Sequence, residues 1–328
     1  MGDWLKWAAV ALIAGGGVVS AIRPAIAAEG PTAAGPIGGT DIRSAQLPPP
    51  GLYGGLFGFD AGTMEFLGPD GETIPALRDG HLRKELTGPF FLYVPDKKLL
   101  GGSIGLTGYV PLGNQCGHLF TGQRSECSQG LGDPYLEMDW SRSFGHYRPS
   151  RDPDAYPIFQ GLSVLLGFGT VFPIGSYDDD DRLEQVLSIG TNIWDFAPTM
   201  AMTYTTRPIL AEGTEFSAKL FWNNYLENPS TNFQTGDLIN IDFAVTEHMG
   251  PFQVGVTGFY AWQTQDDTVL GVPVAPDGNR VTGLAIGPIV NYDMPERNAS
   301  LKAKSFTTVY ARNQVTAWHV IVGWFQKF

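Results

Sequence analysis

Residues 161–175 read GLSVLLGFGTVFPIG, and the period of this stretch decides the fold. Leu162, Val164, Leu166, Phe168, Phe172 and Ile174 fall on one side of an extended chain, while Gly161, Ser163, Gly167, Gly169 and Gly175 fall on the other. A period of two belongs to a β-strand, whose successive side chains point to opposite faces. The run is longer than the roughly five or six residues usual in soluble sheets. It also exceeds the roughly nine to eleven that a tilted strand needs to cross a bilayer.

The same alternation recurs outward from this stretch. Leu136, Met138 and Trp140 oppose Tyr135, Glu137, Asp139 and Ser141; Ile239, Ile241, Phe243 and Val245 oppose Asn240, Asp242 and Thr246. Phe252, Val254, Val256, Tyr260 and Trp262 oppose Gln253, Gly255, Thr257 and Gln263. Gly, Pro, Asn and Asp cut the chain between these runs, as turns require. Trp194, Tyr204, Trp222, Tyr225, Tyr260, Trp262 and Tyr292 stand near strand ends, where an interfacial girdle places them. No stretch after Leu52 sustains a helical period. The expected fold is therefore all-β: an antiparallel transmembrane up-and-down β-barrel of about 12 strands, spanning residues 51–328.

Composition agrees. The 328 residues include 42 glycines, 12% aromatics and only 16% charged residues, a balance suited to strands against lipid and poorly suited to a helical soluble enzyme. The formal net charge of −12 excludes the basic footprint of a nucleic-acid binder. In a barrel such acid sits in loops and lumen, where it either faces water or favours cations.

The chain begins with Lys6, an apolar run from Ala8 to Val19, and Ala25-Ile26-Ala27-Ala28. About twelve apolar residues are too few to span a bilayer as a helix, and the small residues match a signal-peptidase site. Residues 1–27 are expected to be a cleaved signal peptide directing export to the outer membrane of a Gram-negative bacterium. Residues 28–50, rich in Pro, Gly and Ala, read as an extended lead-in without a core of its own. The last strand alternates Trp318, Val320, Val322 and Trp324 and closes on Phe328. Gly323, Trp324 and Phe328 resemble the signal read by the barrel insertion machinery, with Gln326 standing where an aromatic is commonest. Outer-membrane lipid and lipopolysaccharide are the surroundings expected of such a chain.

Cys116 and Cys127 are the two cysteines. In an exported chain a close pair reads as a disulfide closing a loop, rather than a metal site with His118, because no further ligand stands at a recognisable spacing. No metal and no cofactor is expected. Asp178 to Asp181 form a charge run that reads as a solvated loop tip, with calcium binding as the sharper alternative.

Several ordered motifs resemble the bacterial outer-membrane family named for the meta-pathway of phenol degradation. They are PPPGLY at 48–53, YVPDKKLLGG at 93–102, GLGDPY at 130–135, FPIGSYD at 172–178, NIWDFAP at 192–198 followed by Thr203-Tyr204, NPSTNFQTGD at 228–237 and Gly287-Pro288. The resemblance covers about residues 48–328 and implies a barrel that admits small aromatic or hydrophobic molecules. Residues 147–156, rich in Arg, Asp and Pro, look like a longer loop than this pattern carries.

On that reading the lumen chemistry falls to Glu137, Asp139, Asp242 and Lys219, which share faces opposite the lipid stripes. Phe221, Phe259 and Phe325 fall on inner faces too, where they either contact an aromatic solute or fill the pore, the latter making a structural or partner-docking barrel. His248 alternates towards the lumen with Asp242 and reads as a polar wall residue. The third class, a barrel hydrolase, rests on Gly101-Gly102-Ser103-Ile104-Gly105. That match to G-x-S-x-G arises readily in a glycine-rich chain and lacks the strand-to-helix elbow the motif needs.

Overall fold

A computed structural model of the chain describes residues 35–328. The signal peptide expected over 1–27, and the first part of the extension after it, lie outside the described residues. Twelve strands form the wall. They are β1 (Gly51–Phe66), β2 (His81–Val94), β3 (Gly102–Tyr109 continued by Leu112–His118) and β4 (Glu126–Leu131 continued by Tyr135–Arg148). Then come β5 (Ile158–Val171), β6 (Asp195–Thr205), β7 (Thr214–Tyr225), β8 (Leu238–Met249) and β9 (Phe252–Gln263). β10 (Thr282–Met294), β11 (Ala299–Arg312) and β12 (Val315–Lys327) complete the series. Each pairs antiparallel with its neighbours in sequence, and β12 returns to pair with β1 from Tyr53↔Lys327 to Phe66↔Val315. Closure leaves no sheet edge, the condition for carrying strand backbone through lipid.

The interruptions in β3 and β4 have a local cause. Pro111 and Pro134 have no N–H to give the ladder. At the break the chain switches partners: Val110 N–H donates to Pro89 O at 3.1 Å and Gly132 N–H to Pro111 O at 2.8 Å. The tight β8–β9 turn uses Gly250 at φ 60°, a value a primed hairpin turn requires at its first central position and glycine adopts without strain.

The stretch that decided the fold is β5, which stops at Val171; Phe172 to Gly175 belong to the loop beyond it. Leu166 and Phe168 are half exposed on the outside, like Met138 on β4 and Met200 on β6, so the outer face is apolar where lipid is the solvent. Leu165 breaks the alternation by facing inward, and it packs on Ala45 in the lumen.

The two ends of the barrel differ. The C-terminus and the connections 95–101, 149–157, 206–213, 250–251 and 295–298 lie at one end, the terminal end; 67–80, 119–125, 172–194, 226–237 and 264–281 lie at the other. The long-loop end carries a lid. Asp181 N-caps a short helix, α1 (Arg182–Leu187), by accepting from the N–H groups of Leu183 and Glu184, as an N-cap carboxylate does. Leu183, Val186 and Leu187 bury against Phe66, Leu77, Leu82, Leu119 and Val315. The charge run expected as a loop tip is thus exposed at Asp178 to Asp180 and structural at Asp181. Asp178, Asp180 and Glu184 bring their carboxylates within 4.8 Å of one another on its outer side.

Candidate functional site: a threaded lumen

Residues 35–50, expected as a lead-in without a core, run lengthwise through the barrel. Gly35 lies beside Asn223 and Asp195 at the long-loop end, and the segment leaves at the terminal end, where Gly51 opens β1. A buried segment outside any ladder must find partners for its backbone N–H groups, and side chains of the wall supply them. Asp242 accepts from Gly38 N–H and Thr40 N–H, each at 2.9 Å, and from Thr40 Oγ1 at 2.9 Å. Glu215 accepts from Arg43 N–H at 2.7 Å, Ser217 from Ser44 N–H at 3.1 Å and Thr203 from Ala45 N–H at 3.1 Å. Ser141 donates to Ala45 O at 2.6 Å, and Lys304 to Gly38 O at 2.7 Å.

Three ionic contacts, from two of its residues, set its register. Asp41 meets Lys302 at 2.6 Å and Lys304 at 2.8 Å. Two residues on, Arg43 meets Asp293 at 2.7 Å. Ile37 packs on the aromatic cluster of Phe259 and Phe306, and Leu47 on Leu92 and Tyr53. Sequence periodicity missed Asp41, Arg43, Lys302 and Lys304. Lys302 and Lys304 share the phase of inward Phe306, a signal that was available.

The residues expected in the lumen divide into groups. Lys219 on β7 bonds Glu137 Oε1 at 2.8 Å and lies 3.7 Å from Asp139 Oδ1, both on β4. Thr199 on β6 donates to Glu137 at 2.6 Å, and Lys219 Nζ lies 5.1 Å over the Phe221 ring. β5 passes between the acids and Thr199 through Gly167: a Cβ there would collide with Asp139 Oδ1 and Thr199 Oγ1. Asp242 stands directly across from Lys219 on β8, but its oxygens bond the plug. Phe259 belongs to the aromatic group, edge-on to Phe306 at 5.5 Å. His248 lies 3.4 Å from Glu215.

Beside the plug a cavity of about 540 Å³ remains. The plug forms one wall of it, through Ile37, Thr40 and Ser44; β12, β1, β2 and β3 form the other, through Phe325, Phe57, Phe59, Phe90 and Tyr109. Phe221, Phe259 and Glu137 also line it. Lys84, which the sequence reading passed over, faces in from β2.

The remaining motifs lie away from this cavity or along the strands that close the barrel. Cys116 and Cys127 form a disulfide between directly opposed residues of β3 and β4, and His118 bonds Ser125 and Asp79 O at 3.0 Å each. Ser103 lies within β3, paired with Lys98 and Ser141, so the chain there is extended and not an elbow. Trp324 pairs with Leu56, Gly323 has open space where a Cβ would stand, and Phe328 N–H donates to Leu52 O at 2.9 Å.

Comparison with known proteins agrees with this architecture. The family described as "Putative MetA-pathway of phenol degradation" matches residues 66–322. The crystal structure of the COG4313 outer membrane channel from Pseudomonas putida F1 superposes with a TM-score of 0.69 at 14% identity, covering 88% of this chain and 100% of that one. The β domain of the Bordetella autotransporter BrkA follows with a TM-score of 0.42 at 10% identity, covering 84% and 99%. No curated protein matches.

Proposed function

The chain belongs to the family described by the MetA pathway of phenol degradation, and from that premise we propose that it is an outer-membrane channel for passive uptake of small aromatic or hydrophobic molecules. The observation that carries the reading is the cavity running beside the plug. Its walls are mainly apolar and carry a group of Phe and Tyr rings, and it lies within a barrel whose outer face is apolar. Apolar pockets with a few placed polar groups are where small molecules are held. In this reading Phe221 and Phe259 contact the solute, whereas Glu137, Asp139 and Lys219 brace the wall and Asp242 holds the plug. The C-terminal Gly323, Trp324 and Phe328 serve recognition by the insertion machinery. Lipid and lipopolysaccharide surround the barrel.

Reconstituted in liposomes, the purified barrel should admit small neutral arenes faster than protein-free vesicles do. Removing residues 35–46 should raise single-channel conductance severalfold, because the lumen loses the segment that fills it. A second reading, a structural barrel with a sealed lumen, draws on the ionic contacts of the plug and on the α1 lid. It predicts that neither the intact nor the shortened protein passes arene or current.

A further inference from the structure

Lys84 differs from the other lumenal cations. Lys219, Lys302, Lys304 and Arg43 each hold a carboxylate. Lys84 lines the cavity, half-buried, with no hydrogen bond or ion pair among the described residues. The carboxylate whose field reaches it is Asp133. Both oxygens of Asp133 are committed, to Gly175 N–H at 2.8 Å and to Thr191 N–H at 2.6 Å and its hydroxyl at 2.7 Å. A cation held inside a barrel with aromatic walls and no counter-charge in contact favours an anion from outside.

The register shows where that anion would sit. Lys84 pairs with Ala61 on β1, and Ala61 pairs in turn with His319 on β12, all three facing the cavity. Neighbouring strands lie about 4.8 Å apart, so Lys84 and His319 stand roughly 10 Å apart with only a methyl group between them. The His319 ring packs at a tilt against Phe306, centroids 4.8 Å apart, and against Phe59 at 5.9 Å, which makes it part of an aromatic wall.

We propose that the gap over Ala61 binds a small aromatic carboxylate, its anionic end on Lys84 Nζ and its ring against the cavity side of His319, Phe59 and Phe57. This rests on the reading that the cavity takes small aromatic solutes and names the class among them that binds best. The lumen acids expected to favour cations are occupied, Glu137 and Asp139 by Lys219 and Asp242 by the plug, so they do not oppose an anion at Lys84.

The test is calorimetric titration of the purified full-length barrel in detergent with benzoate and with benzamide, its neutral isostere. Wild type should bind benzoate more tightly than benzamide. Lys84→Met should weaken benzoate about tenfold or more, the scale of one charge-assisted hydrogen bond, and leave benzamide unchanged. Lys84→Arg should restore benzoate. Ala61→Leu, which fills the gap and keeps the charge, should weaken both ligands. Retained heat-modifiability on gels shows that each variant is folded. Benzamide binding equal to benzoate in wild type, or benzoate binding indifferent to Lys84→Met, overturns the anion site while leaving the arene channel standing. Binding of neither ligand overturns both.

Discussion

The two sides of the lumen are built on different principles. Along β6 to β11 the wall presents Thr203, Glu215, Ser217, Asp242, Asp293, Lys302 and Lys304 to the threaded segment, and each meets a partner there. Along β12 to β3 the wall presents Phe325, Phe57, Phe59, Phe90 and Tyr109 to open space, with Lys84 as the unmatched charge. Polar groups buried against protein need partners, because an unpartnered one costs its full desolvation. Aromatic groups need none and leave room for a guest. One side is made to hold the chain's own segment, the other to stay available.

The largest effect that would break this contrast is at Asp41. Asp41→Ala leaves Lys302 and Lys304 buried without their counter-charge, and stranding a buried charge costs about 3–5 kcal/mol. The plug should detach, read as rapid thiol labelling of a Ser44→Cys reporter that is protected in the otherwise intact protein. Protection indifferent to Asp41→Ala would mean that the ionic side does not hold the segment.

Next in size is Lys219→Met, which leaves Glu137 and Asp139 facing each other without a cation. A loss of about 3–5 kcal/mol should appear as a lower heat-modification temperature, and adding Glu137→Gln should recover part of it. No recovery would mean that the lysine serves packing alone. The smallest expected effect is Gly167→Ala. Its Cβ would crowd Asp139 and Thr199, and overpacking of this kind costs about 1–3 kcal/mol. The same substitution at Gly58, where a Cβ meets nothing within 4 Å, is the control and should leave the heat-modification temperature unchanged.

How much of this was legible in sequence depends on which neighbour a residue answers to. Leu162, Val164, Leu166 and Phe168 answer to lipid, a uniform solvent, so their period alone betrays them. Glu137, Asp139 and Lys219 were legible as inward residues because they share the opposite phase. Their ion pair was not, since β4 and β7 meet only across the lumen. Lys84 was overlooked because it sits in the run Arg83-Lys84-Glu85, which reads as a solvated charge cluster. The strand separates the three: Arg83 bonds Asp60 at 2.9 Å and Glu85 at 3.0 Å on the outer face, while Lys84 turns in.

The sequence by itself determined the barrel, its apolar exterior and the disulfide, because a two-residue period, turn residues and paired cysteines are local or repeat without reference to the rest of the chain. Only the tertiary structure decided that residues 35–50 thread the lumen, which acids they occupy, and that an aromatic cavity with an unmatched lysine remains beside them. Those facts depend on contacts between residues as far apart as Asp41 and Lys304, where the partner of a buried charge is chosen by closure of the barrel and no local pattern records the choice.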